Sequence, residues 1–203
     1  MIMPALADDA AFFTAARADD AAAIGALLAA GQDIEARDES GATALLVATH
    51  ADARAAAAAL VAAGADVNAK DGIADTPYLY AGAEGRIDIL RLLLAAGADL
   101  ADTNRYGGTA LIPAAEKGHP EAVRLLLDAG VDPNHVNNLG WTALHEAIVL
   151  SSGGPVHQQI VGLLIAGGAD VNLPDGNGVS PLTLARQRGF AEIAALLAAA
   201  GGR

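Results

Sequence analysis

The stretch YGGTALIPAAEKGHPEAVRLLLDAGVDPNH, residues 106–135, decides how the chain folds. Thr109 stands where a side-chain oxygen can accept a hydrogen bond from a backbone N–H at the start of a helix. Leu111 begins the buried stripe of that helix. Gly118-His119 breaks the pattern and starts a second helix, in which Val123, Leu125, Leu126 and Leu127 recur at helical spacing. Gly130 then serves as a stop that needs the left-handed conformation, and Asp132 opens an extended arm. A helix pair of this kind cannot bury both faces alone, so copies of it must stack.

The copies are present. Tetrapeptides of one type occur as TALL at Thr43, TPYL at Thr76, TALI at Thr109, TALH at Thr142 and SPLT at Ser180, spaced by 33, 33, 33 and 38 residues. A second series keeps the same beat: AAGQDIEA (29–36), AAGADVNA (62–69), AAGADLAD (95–102), DAGVDPNH (128–135) and AGGADVNL (166–173). Two motifs in constant phase establish a repeat architecture. Pro77 and Pro181 sit in the first helical turn, where a missing N–H costs nothing. Leu45, Leu111, Leu144 and Leu182 head the buried stripes of the inner helices. Ile89, Leu90, Leu92, Leu93 and Leu94 mark an outer helix that Gly97 stops, and Gly64 and Gly168 are the stops in other units.

These motifs resemble the ankyrin repeat, with its period of about 33 residues and its T-P-L-H-x-A signature. The resemblance runs from Phe12 to Leu197. The wording of GGTALIPA, HVNNLGWTALHEAI and GVSPLTLARQRG is similar to that of a bacterial ankyrin group whose members often carry export signals. The resemblance implies an all-α repeat solenoid of stacked helix pairs with projecting hairpin loops, forming a single domain over 1–203. Its expected parts are an N-terminal cap at 8–37, repeats at 38–70, 71–103, 104–136 and 137–174, and a C-terminal cap at 175–203. It also implies a non-catalytic protein-binding module that uses a concave groove and hairpin tips.

Departures from the pattern carry further expectations. RAAAAALVAAG (54–64) has few large side chains, so local unfolding is expected to begin there or at the N-terminal cap. Tyr78 and Tyr80 stand where Leu and a small residue are usual. Ala101 replaces an asparagine, removing a side-chain bond that braces the hairpins. Five extra residues fall within 150–156, in the turn between the helices of the fourth unit, with Gly153-Gly154 ending one helix and Pro155 starting the next.

The formal net charge of −12 in 203 residues argues against nucleic acid and an anionic membrane surface as partners. A basic or polar protein surface would be steered toward the chain instead. There is no cysteine, so disulfides, thiolate metal sites and cysteine nucleophiles are excluded. Ala5-Leu6-Ala7 before Asp8 reads as a small-x-small processing site without the basic and apolar regions that should precede it. It tips the expectation toward a periplasmic or secreted protein.

No catalytic constellation emerges. His145-Glu146 lacks the second histidine of a zinc-protease helix, GVSPL (178–182) lacks a glycine of the nucleophile elbow, and SSGGP is followed by no Gly-Lys-Ser/Thr. DVNLPDGNG (170–178) lacks the closing glutamate of a calcium loop. His145 is instead expected to bond between hairpins, His50 to be exposed, and no metal or cofactor is expected. The expected partner-binding residues are Tyr80, Arg105, Tyr106, Glu116, Asn138, Leu139, Trp141 and Glu146, in a monomer with an acidic groove. Trp141, the one tryptophan, precedes the capping Thr142 and is read as an aromatic on the recognition edge. Its alternative is a brace lying flat on Gly107-Gly108. The alternative function is a small-molecule binder or enzyme built around Tyr80, Glu116 and Glu146.

Overall fold

The computed structural model describes residues 9–203; the Ala5-Leu6-Ala7 motif lies outside them. The elements are helices in six pairs: α1 (Asp9–Arg17) with α2 (Ala21–Ala29), α3 (Ala44–His50) with α4 (Arg54–Ala62), α5 (Pro77–Ala83) with α6 (Ile87–Ala95), α7 (Leu111–Glu116) with α8 (Pro120–Asp128), α9 (Ala143–Val149) with α10 (Pro155–Ala166), and α11 (Pro181–Gln187) with α12 (Ala191–Ala199). Among the described residues there is one isolated bridge, between Arg37 and Thr43.

Two compact units are present, one of residues up to 81 with 86–99, the other of 82–85 with 100–203. In the first, α1 packs on α3, and α4 lies between α2 and α6. In the second, α9 lies between α7 and α11, and α10 between α8 and α12. The core follows the apolar phase of the repeats. Leu60 and Leu93 are fully buried at equivalent positions of the first unit, as are Leu126, Leu164 and Leu197 in the second. The alanine-rich α4 buries only Ala56, Ala57 and Leu60, against Ile89, Leu90 and Leu93 in α6.

Helix ends follow from the sequence with one exception. Thr43, Thr76, Thr142 and Ser180 accept backbone N–H bonds from the residues three further on. Thr109 was expected to do the same and does not. Its hydroxyl is buried with no hydrogen-bond partner among the described residues, and α7 begins only at Leu111. The cause is Pro113. In the other units the residue four past the cap donates to the cap carbonyl, as Val47 does to Thr43 and Glu146 to Thr142. Proline has no N–H to give, so Ile112 takes the Thr109 carbonyl in a tighter turn.

At the far end of α8, Gly130 at φ +95° lets Val131 donate to Leu126 and Gly130 to Leu127, at 3.0 Å each. This closure satisfies carbonyls the helix leaves open. Beyond it, asparagines tie neighbouring arms together. Asn134 donates to the Gly168 carbonyl and accepts from the Asp170 amide. Asn172 repeats this with Gly201 and Arg203, and Asn68 with Gly97 and Asp99. Ala101 has no group with which to do so.

Each hairpin loop is closed by one side-chain oxygen. Asp38, Asp71, Asn104, Asn137 and Asp175 each accept from the amides two and four residues on. The loop then turns through a left-handed residue: Gly41, Ala74, Gly107, Gly140 and Gly178. Ala74, at φ +65°, is the exception, with a Cβ in a region that disfavours one.

The two exceptions, with Thr142 as the comparison, set three expected stabilities. Ala74→Gly relieves the left-handed alanine and should raise unfolding free energy by about 0.5–1 kcal/mol in urea titrations. Thr109→Val should leave stability within about 0.5 kcal/mol of the parent, because it removes a hydroxyl that makes no bond. Thr142→Val, which removes a working cap, should cost about 1–2 kcal/mol.

Candidate functional site

In the second unit, the loops begun by Asn104 and Asn137 present the expected edge. Tyr106 and Leu139 occupy the same place in their loops and are 56% and 59% exposed. The Arg105 guanidinium lies 4.7 Å from the centre of the Tyr106 ring, so the cation and aromatic form one surface. Asn138 is exposed beside Leu139.

The two loops are bonded to each other underneath. The Asn138 amide donates to the Tyr106 carbonyl at 3.0 Å, and His135 Nε2 meets the Gly107 carbonyl at 2.7 Å. The Asn138 side chain lies so close over Gly107 that an added Cβ would stand 2.5 Å from its Oδ1. A Cβ added at Gly108 would meet Ile112 and Asn104 instead, at 3.5–3.6 Å. Trp141 is half-buried, with its N–H donating to Asn137 Oδ1 and its carbonyl accepting from the Asn137 N–H.

Sequence reasoning missed two apolar residues of the loops. Val136 is 47% exposed at a position where the other repeats carry Arg37, Lys70, Thr103 and Pro174. Ile73, in the first unit, is exposed at the loop position equivalent to Tyr106 and Leu139. The 33-residue phase was the signal that could have found both.

The inner-helix residues are arranged less simply. Glu146, expected on the open groove, is only 5% exposed. Its Oε1 accepts from Asn137 Nδ2 at 2.7 Å. Burial raises its pKa to about 7, with help from the charge of Glu116 and a hydrogen bond shared with that carboxyl, while Asn137 acts in the opposite direction. Glu116 itself is half-exposed at the end of α7. Its backbone carbonyl meets His157 Nε2 at 2.9 Å, which gives that histidine, beside the five-residue insertion, a helix-capping role.

His145 is fully buried. Its Nδ1 accepts from the Thr142 amide at 3.1 Å, which leaves the proton on Nε2, a buried atom with no hydrogen-bond partner among the described residues. Burial lowers its pKa, with Asp175 and Leu173 opposing. Tyr80 lies in the first unit, half-buried, its ring centre 4.2 Å from that of His50. His50 is exposed as expected, yet desolvation on this side lowers its pKa against the pull of Asp71, Asp75 and Asp38.

Comparison with known proteins bears directly on this arrangement. A family model for ankyrin repeats, in three copies, matches residues 78–175. The crystal structure of an ankyrin repeat domain from Acinetobacter baumannii AYE is similar, with 58% identity, a TM-score of 0.93, and coverage of 97% of this chain and 100% of that one. A second crystallised ankyrin repeat protein has 42% identity and a TM-score of 0.88, covering 93% of this chain and 96% of its own. The ankyrin repeat protein YahD of Escherichia coli K12 is 59% identical over 58 residues, a match that spans 29% of each chain. The stacked helix pairs are thus those of an all-α repeat solenoid.

Adjacent residues on α9 respond to pH in opposite senses. His145, with its lowered pKa, contributes stability that is present above 6.5 and lost as pH falls. Glu146, with its raised pKa, contributes stability that is present below 4.5 and lost as pH rises through about 7. Glu146→Gln keeps a neutral group in place at every pH. Denaturant titrations should find the variant more stable than the parent by on the order of 1–3 kcal/mol at about pH 8. The difference should close below the ordinary glutamate pKa of 4.5.

Proposed function

Since the chain belongs to the ankyrin repeat family, whose repeats are generally protein–protein interaction modules, we propose that it binds another protein through the loop edge of its second unit. Exposure of Tyr106 and Leu139 on loops bonded to each other from beneath carries this reading. Ordered loops lose little entropy on binding, so apolar area presented there converts to affinity efficiently. Arg105, Asn138 and the half-buried Trp141 frame the two side chains, and Tyr, Trp and Arg are the types enriched among interface hot spots. The formal charge of −12 suits a basic or polar partner, which the long-range field would steer toward the chain. We read the chain as a non-catalytic monomer in this role.

The raised pKa of Glu146 beside Glu116 favours a second reading, a small-molecule site that uses the pair as acid and base. Saturable binding of a metabolite, lost in Glu146→Gln, would support it. A basic protein retained from native extract at low salt and released at high salt supports the first.

With a partner in hand, Tyr106→Ala, Leu139→Ala and Trp141→Ala should each weaken binding by roughly 2 kcal/mol or more in calorimetric titrations, with the melting temperature nearly unchanged. A loss of about 3 kcal/mol of stability in Trp141→Ala, at unchanged affinity, would make the indole scaffold.

A further inference from the structure

Of the five residues that close hairpin loops, Asn137 alone among the described residues is tied by its second side-chain atom to an inner helix. Its Oδ1 holds the amides of Leu139 and Trp141, while its Nδ2 donates to Glu146 at 2.7 Å. Both ends of that bond are buried, Asn137 at 6% exposure and Glu146 at 5%. Glu116, on the α7 that packs against α9, acts on Glu146 through its charge and a side-chain hydrogen bond, so α7, α9 and the loop 137–141 are linked through these side chains. We infer that Glu146 is a positioning residue for this loop, and that release of the proton it shares with Glu116 strengthens its hold. The functional meaning rests on the loop being part of the recognition edge; the physical coupling does not.

With the proton present, Glu146 donates to the Glu116 carboxylate and offers Asn137 a neutral acceptor. When the proton leaves for solvent, two carboxylates face each other. Glu146 is enclosed and held by Asn137, whereas Glu116 is half-exposed at a helix end and turns toward water. The bond from Asn137 is then charge-assisted, roughly twice as strong as a neutral one. Asn137 is fixed more firmly, and the two amides it holds are fixed with it.

Other charges near the pair are already engaged or face elsewhere. His157 of α10 is bonded to the Glu116 carbonyl, Lys117 is ion-paired with Glu84, and Arg186 is exposed on α11. On α9 itself, the His145 ring is held by Thr142 through Nδ1, and the charge of Asp175 acts on it. Glu116 is the charge that acts on Glu146.

The test uses the full chain without a partner. Trp141 is its one tryptophan, so intrinsic emission reports on this loop. In the parent protein, emission and the exchange protection of the Leu139 and Trp141 amides should titrate together near neutral pH. Protection, corrected for intrinsic exchange, should be several-fold higher on the alkaline side. Glu146→Gln should be flat in both readouts with its helical circular dichroism intact, and Glu116→Gln should move the midpoint toward acid. A midpoint that survives in Glu146→Gln, or a parent chain flat across the neutral range, overturns the inference. Should Glu146→Gln fail to fold, an unmoved midpoint in Glu116→Gln overturns it instead. Because no partner is present, failure of partner binding and failure of this coupling are read separately.

Discussion

The loops of this protein depend on a single kind of hydrogen bond: an Asp or Asn side-chain oxygen that accepts two backbone amides from within its own turn. A strand in a sheet would satisfy those amides from a neighbour, but the described chain has no sheet to offer. An unsatisfied backbone donor shut away from water costs free energy on the scale of the bond it lacks. Asp38, Asp71, Asn104, Asn137 and Asp175 supply the acceptor locally. The backbone donors are then met before any contact between loops is made. Links such as that from the Asn138 amide to the Tyr106 carbonyl need only align two preformed loops.

That division of labour explains where function can reside. The helix stripes are committed to burying Leu, Ile and Val, and the caps and closures to satisfying backbone groups. Side chains at the loop tips carry neither duty. A tyrosine or leucine there contributes exposed apolar surface without weakening the fold, and the polar residues at the equivalent positions of the outer loops, Ser40 and Asn177, show that the position tolerates either. Tyr106 and Leu139 thus stand on a rigid frame whose stability does not depend on them.

Much of this was legible in the sequence, because the 33-residue phase places equivalent residues at equivalent points. Gly130 as a left-handed stop and Gly154-Pro155 opening α10 follow from local chemistry alone. Thr109 did not follow, although its cause was visible: Pro113 falls where the cap carbonyl needs a donor. The five loop-closing Asx residues also share the phase, but were overshadowed by the aspartates that open the arms. Burial of Glu146 could not be read, since it depends on how α7 and Asn137 cover one charged position of an inner helix. For Trp141, the close approach of the Asn138 side chain to Gly107 was not legible either, because it depends on how two loops meet.

The placement of His145 and Glu146 side by side has a consequence for how pH acts on the molecule. Across the acid side of neutrality, burial disfavours the protonated histidine and favours the protonated glutamate. Acidification therefore draws contributions of opposite sign from neighbouring side chains on one helix. His145 is bonded within the cap of α9, while Glu146 is bonded to Asn137 at the base of the loop 137–141. A change in proton occupancy is thus confined, in its mechanical effect, to different neighbours of the same helix. The proton on Glu146 is felt at the loop that carries Leu139 and Trp141, and the proton on His145 at the cap of α9.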